Sequence, residues 1–223
     1  VLIGAIMTID NLFAVIFQPL FGALSDKTNT RFGRRMPYLL VGVPLAAIFC
    51  ALIPSATSLI ALMAFIIIMN FAMSIYRAPT VALMPDVTPS PLRSKANGVI
   101  NFMGGLAAVI AYGLGGLLYK KDQAYPFYMA SVVMMLALIV LYVFIQEPEQ
   151  VEIEDIKEEE ERAKAKDMAK NKSLILLLFA IFFWFTGFNV VETFFSLYGQ
   201  HILGIDPSDS SLILTTFSLT FLV

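Results

Sequence analysis

The chain holds one cysteine, Cys50, and one histidine, His201, among its 223 residues. A lone thiol excludes an intrachain disulfide, and one thiol with one imidazole falls short of the ligand set of an ordinary zinc site. Charge is also scarce, with Asp, Glu, Lys and Arg at 14%. No Gly-x-Ser-x-Gly, His-Glu-x-x-His, Rossmann or Walker sequence occurs. Hydrolytic, dinucleotide and ATP-driven chemistry therefore have no support, and the chain is not expected to be an enzyme or to need a metal or cofactor. The bases cluster at the edges of apolar runs rather than along one stripe, which argues against a nucleic-acid partner. No cleavable signal peptide is visible. The chain opens without Met inside one apolar run and stops at Phe221-Leu222-Val223 in another, as expected of a fragment.

What the chain has in abundance is apolar surface, at 58% hydrophobic residues and a mean hydropathy of +0.79. The bilayer is the solvent that suits it. A spanning helix needs roughly 20 mainly apolar residues, and such runs lie near 1–24, 37–54, 58–84, 95–118, 126–146 and 173–199, with a seventh beginning near 209. The expectation is an all-α multi-pass membrane protein with six complete spans and part of a seventh. If each span reverses direction, the first, third and fifth joints carry twelve bases, from Lys27 and Arg31 to Lys170 and Lys172, against Lys120 and Lys121 on the other face. By the positive-inside rule the joints at 25–36, 85–95 and 147–172 are cytoplasmic, in a plasma or inner membrane.

The first of these joints, Gly22 to Arg35, packs Asp26 against Lys27, Arg31, Arg34 and Arg35. Gly22 allows close approach of another helix. Asp26 could accept bonds from the loop guanidiniums or face the positive end of a neighbouring helix. Asp86 and Arg93 in the third joint form either a smaller version of the same device or a cap on the next helix. The longest joint, from Glu147 to Lys172, has ten acids and six bases, acids first. Pairs such as Glu158 with Arg162 and Glu160 with Lys164 predict a solvated, partly helical linker.

Gly22-x-x-x-Asp26-Lys27 followed by Gly33-Arg34-Arg35 resembles the loop signature of the major facilitator superfamily. The resemblance implies twelve spans in two halves joined by a cytoplasmic linker, of which this chain would carry about helices 2 to 8. Residues 1–146 then belong to the N-terminal bundle, 147–172 to the linker and 173–223 to the start of the C-terminal bundle. The string from Gln18-Pro19 to Met36-Pro37, with Ala82-Leu83-Met84-Pro85-Asp86 and Ala96-Asn97, is similar to the plant sucrose transporters and their bacterial relatives. The function implied is symport of a sugar or glycoside with a cation by alternating access, working as a monomer in the lipid bilayer. For Gly22, Asp26, Arg31, Gly33, Arg34 and Arg35 the resemblance implies a conformational switch. The alternatives are export of a drug-like or organic-acid solute, and a membrane sensor of the same fold without net flux.

Ionisable groups within spans default to function because lipid cannot solvate them. Asp10, Arg77 and Glu192 are the candidates. At ~1.5 Å per residue, Asp10 lies about 24 Å along its helix from Asp26, in the outer part of the membrane. Spans 37–54 and 126–146 contain no Asp, Glu, Lys, Arg or His, and in the family plan these helices stand outside the central cavity. The sodium-coupled melibiose permease group has two carboxylates where this chain has Ala14 and Gln18, so H+ is the expected coupling ion and Na+ is less expected. Asn11, Asn70, Tyr76, Asn101, Tyr112, Trp184, Asn189 and Tyr198 offer hydrogen bonds and flat faces suited to a sugar ring. The glycines of span 95–118 are read as a close-packing or sliding face.

Overall fold

Each apolar run becomes a helix in the computed structural model, which describes residues 9–145, 147 and 171–219. The helices are α1 (Ile9–Lys27, side chains described from Phe13 on), α2 (Met36–Leu52), α3 (Leu59–Val87), α4 (Arg93–Tyr119), α5 (Tyr125–Phe144), α6 (Lys172–Tyr198) and α7 (Pro207–Leu219). Short 3-10 turns at Ile53–Ser55 and Ser90–Leu92 and a π turn at Gly199–Leu203 punctuate them. Among the described residues there is no β-strand beyond an isolated bridge between Thr30 and Gly33. Among the described residues, five segments are long and apolar enough to cross a membrane: Met36–Ser55, Leu59–Val87, Ser90–Tyr119, Tyr125–Phe144 and Lys172–Leu203. The expected first span is α1 in its described part, and most of the linker at 147–172 lies outside the described residues.

Local chemistry sets the helix starts. Ser58 caps α3 by accepting from the Ala61 amide at 3.2 Å, and Asn171 caps α6 by accepting from Ser173 and Leu174 at 3.0 and 3.4 Å. Pro19, Pro44, Pro79 and Pro85 lie inside helices. Spans tolerate such residues because neighbouring helices and side chains satisfy the freed backbone groups.

The chain divides into two units, one holding the described residues up to 147 together with 211–219, the other holding 171–210. In the first, α2 is the centre, packed against α3 and α5. Its buried side is written in small residues at helical spacing: Gly42, Ala46, Ala47 and Cys50 are buried along with Leu39 and Val43. A Cβ on Gly42 would sit 3.0 Å from both the Ala72 carbonyl oxygen and the Tyr76 side chain, so the absence of a side chain sets the distance between α2 and α3. Against α5 the join is polar, with the buried Ser131 hydroxyl donating to the Ala47 carbonyl at 2.8 Å. Leu39, Val43, Leu83 and Leu138 form the core, and Tyr76, Leu141 and Ile145 pack around it. Along the seam of α1 and α3, Phe71 meets the rings of Phe13, Phe17 and Phe21 edge-on.

In the second unit α6 contributes no buried residue. Its C-terminal end turns through the π segment to Gly204, at φ +66, and the Ile205 amide closes the turn on the Gly199 carbonyl at 2.9 Å.

The glycines of α4 do not form the expected tight seam. Nothing lies within 4 Å of a Cβ placed on Gly98, Gly104 or Gly115, while the Gly113 position meets Thr215 at 3.4 Å. Small residues permit close approach without compelling it, and this face is open at those positions.

Candidate functional site

The core delivers three helix ends to one place. Leu39 lies in the first turn of α2, Leu83 in the last turn of α3, and Leu141 and Ile145 at the end of α5, so their packing brings together the segments that carry charge. At the centre is Arg35, with only 5% of its surface exposed. Its Nε donates to Asp86 Oδ2 at 3.0 Å, its Nη2 pairs with Asp26 Oδ1 at 2.5 Å, and its Nη1 donates to the fully buried Ser25 hydroxyl. Ser25 passes its own proton to the Gly22 carbonyl at 2.7 Å. Arg34 adds a second bond to Asp86 Oδ2, at 3.2 Å. A buried guanidinium is tolerable only when paired on most of its edges, and here all three of its nitrogens have partners.

The amides of this arginine pair make the second half of the site. Helix α2 starts without a local cap: Arg35 occupies the cap position, no side chain there accepts a bond, and the first turn contains no acid. Its unpaired N–H groups are met from 112 residues away. The Glu147 carboxylate accepts from Arg34 N at 2.5 Å, from Arg35 N at 3.0 Å and from Met36 N at 2.8 Å. This is anion binding at a helix N-terminus, supplied by the chain itself. Gly33 makes the room. Its φ of +101° lies in a region that side chains rarely adopt, and a Cβ there would collide with the Glu147 side chain. Thr30 shapes the turn, accepting the Phe32 amide on its hydroxyl at 3.3 Å and donating that hydroxyl to the Gly33 carbonyl at 2.7 Å.

Charge state follows from these contacts. Burial works against the Arg35 cation, but the bonds to Asp86 and Asp26 outweigh it and lift its pKa above the ordinary arginine value. Arg35 is a fixed charge at any physiological pH.

Of the loop residues named from sequence, Gly22, Asp26, Gly33, Arg34, Arg35 and Asp86 are thus assembled around one point. Gly22 faces α3, where a Cβ would lie 3.6 Å from that of Ala78. Arg31 stands apart, exposed, with its guanidinium carbon 4.6 Å above the Phe32 ring. Asp86 and Arg93 do not form a device of their own, nor does Arg93 cap the following helix. Asp86 belongs to the first loop's cluster, while Arg93 turns back to donate to the Thr88 carbonyl at 3.3 Å and the Pro85 carbonyl at 3.1 Å. The physical reason is Pro89: it has no N–H for the Pro85 carbonyl four residues earlier, and Arg93 supplies the missing donor.

The candidates within the spans are spread over several helices. Asp10 and Asn11 belong to α1, with side chains outside the described residues. Gln18 is half-buried on α1. On α3, Asn70 is buried, Tyr76 packs against the α2 core, and Arg77 is exposed. Asn101 is exposed on α4 and Tyr112 half-buried there. On α6, Trp184, Asn189 and Tyr198 are exposed, Asn189 donating to the Phe185 carbonyl at 2.8 Å, and Glu192 is half-buried.

Two members of the charge cluster, Ser25 and Glu147, were not among the residues singled out from sequence. Ser25 gave no signal. Glu147 had an indirect one: an uncapped helix opening Arg35-Met36-Pro37 needs an acceptor from elsewhere, and Glu147 is the first acid after the apolar run of α5.

Several known proteins are similar to the chain. It is 23% identical over 222 residues to the isoprimeverose transporter of Lactiplantibacillus pentosus, covering 90% of this chain and 46% of that protein. It is 23% identical over 216 residues to the quinolone resistance protein NorA of Staphylococcus aureus (strain MRSA252), covering 96% and 53%. It is 27% identical over 189 residues to the class H tetracycline resistance protein of Pasteurella multocida, covering 85% and 45%. The chain thus spans about half the length of each of these relatives. The family model of the Major Facilitator Superfamily matches residues 1–223, and with helices and a basic loop of the kind described above, the chain belongs to that superfamily of membrane transporters.

Proposed function

We propose that this chain forms part of a secondary transporter that carries a sugar or glycoside together with a cation, H+ in preference to Na+, by alternating access. The observation that carries the reading is the Arg35 cluster. It ties the end of α1, the start of α2 and the acidic end of α3 to Glu147, the residue at which the proposed linker starts. A set of ion pairs that holds in one arrangement and releases in another gives a two-state element that substrate and cation can bias. The sugar assignment rests on the string from Gln18 to Pro37 and on the likeness to a protein named as an isoprimeverose transporter. Asp10, Arg77 and Glu192 are the proposed ion-pathway groups, with Asn11, Gln18, Asn70, Tyr76, Asn101, Trp184 and Asn189 offered to substrate. The proposed organisation is an N-terminal bundle (1–146), a cytoplasmic linker (147–172) and the start of a C-terminal bundle (173–223), in a monomer of the plasma or inner membrane.

Export of a drug-like solute is the second reading, favoured by the likeness to proteins named for quinolone and tetracycline resistance. Counterflow of labelled sugars in vesicles reconstituted with the full-length protein separates the two. Sugar exchange supports symport, and drug extrusion without sugar exchange supports export. Saturable binding with no counterflow of either would instead mean a sensor. Within the first reading, Asp10→Asn is expected to abolish pH-driven accumulation, and retained accumulation would exclude Asp10 as the coupling site.

A further inference from the structure

Of the three arginines in the first loop, two are committed to carboxylates and one is not. Arg34 and Arg35 hold Asp26, Asp86 and Glu147, whereas no carboxylate pairs with Arg31 among the described residues. Arg31 instead lays its guanidinium over the Phe32 ring. Phe32 is 40% exposed and packs in turn against Tyr142, ring centres 6.4 Å apart. Tyr142 lies in the last turn of α5, beside the exposed Val143 and Phe144, while Leu138 and Leu141 of the same helix face the core. The loop therefore reaches over the exposed side of α5 and leaves a cation on an apolar ledge at the end of that helix.

The geometry points to a phospholipid site here: the phosphodiester of an anionic lipid in the leaflet at the base-rich end, held by Arg31, with its first acyl methylenes on Phe32 and Tyr142. A guanidinium stacked on a ring keeps its N–H edges outward, and those edges match two phosphate oxygens in a bidentate pair. Aromatic side chains at this depth accept both headgroup and chain. The ledge selects lipid over a free anion, because Phe32 and Tyr142 offer an inorganic ion no ring donor beyond one hydroxyl. Lys27, exposed in the same loop, adds attraction for a net negative headgroup.

The test is a titration of the detergent-purified full-length protein with phosphatidylglycerol, read by native mass spectrometry and by the thermal unfolding midpoint. Arg31→Gln and Phe32→Ala are each expected to weaken lipid binding about fivefold or more, the scale of one basic contact at a membrane surface, while Lys121→Gln leaves it unchanged. Wild-type affinity in Arg31→Gln overturns the site. Full affinity in Arg31→Lys, or an equal loss in Lys121→Gln, reduces the effect to diffuse charge and overturns it as well. Displacement of the lipid by inorganic phosphate at equal concentration would assign the site to a free anion instead.

Discussion

Helices α2 and α6 are both apolar enough to cross a membrane, yet 39% of the most apolar stretch of α2 is buried against its neighbours and none of that of α6 is. Hydropathy cannot separate them, because lipid tails are as apolar as leucine and give no drive for one span to seek another. What separates them is side-chain size and polarity at the contact. Helix α2 presents Gly42, Ala46, Ala47 and Cys50, which let α3 and α5 come close enough for backbone contact and for the Ser131 hydroxyl to bond the Ala47 carbonyl. Helix α6 presents Phe179, Phe182, Phe183, Trp184 and Phe185, all exposed. The ends differ too: α6 is capped locally by Asn171, whereas α2 is capped by Glu147 from another part of the chain. Helix α2 is tied to partners along its length and at its start, whereas the start of α6 is closed by its own neighbour in sequence.

That contrast breaks most readily at Arg35. Removing the guanidinium in Arg35→Ala takes one of two cationic partners from Asp86, which keeps Arg34. Loss of one partner of a buried pair costs about 3–5 kcal/mol, and the remaining Arg34 bond holds the loss toward the lower end. The thermal midpoint of the full-length protein should fall by more than for any substitution on α6. Gly42→Leu comes next: the added side chain must push against the Ala72 carbonyl and Tyr76, and overpacking of this kind costs about 1–3 kcal/mol. Trp184→Leu on α6 should stay within about 0.5 kcal/mol, because the side chain is 66% exposed. If the two substitutions cost the same, packing is not what distinguishes these spans. Glu147→Gln keeps the shape but removes the anion from the α2 N-terminus, with an expected loss of about 1–2 kcal/mol that Asn171→Gln in α6 should not exceed.

Asp26→Asn also belongs with the small effects. Its carboxylate is 56% exposed against 20% for Asp86, so its pair with Arg35 is screened and worth about 0.2–1 kcal/mol of stability. Transport should suffer more than expression, and unchanged uptake at normal protein level would refute a switching role. The pH dependence has a definite sign. A base whose pKa is raised on folding stabilises fully below its ordinary pKa and loses that contribution only as pH rises through the folded value. For Arg35 that window lies above the ordinary arginine range, so Arg35→Gln should lower stability by the same amount across about pH 6–9. A loss that shrinks within that range would contradict the fixed charge.

Much of this was legible beforehand. The six expected runs and the shorter seventh correspond to α1 through α7 in their described parts, because a run of apolar residues long enough to cross a bilayer must satisfy its own backbone, and a helix does so locally. Asp26, Arg34 and Arg35 stood out since one short stretch of sequence holds them. Glu147 did not, for the acceptor and its three amides are more than a hundred residues apart. Asp86 was visible as a charge but was matched with Arg93, the nearer base, when the bond is made to Arg35 across the α2–α3 packing. The glycines of α4 looked like a seam and are open at Gly98, Gly104 and Gly115.

Sequence alone determined the apolar runs that become helices and the concentration of bases in the first loop, since each depends on residue type summed over a local stretch. Tertiary structure decided which apolar helix is packed, which acid meets which base, and why Gly33 must be glycine. Those outcomes depend on distances between atoms far apart in the chain, and only the packing of α2 against α3 and α5 brings them within reach of one another.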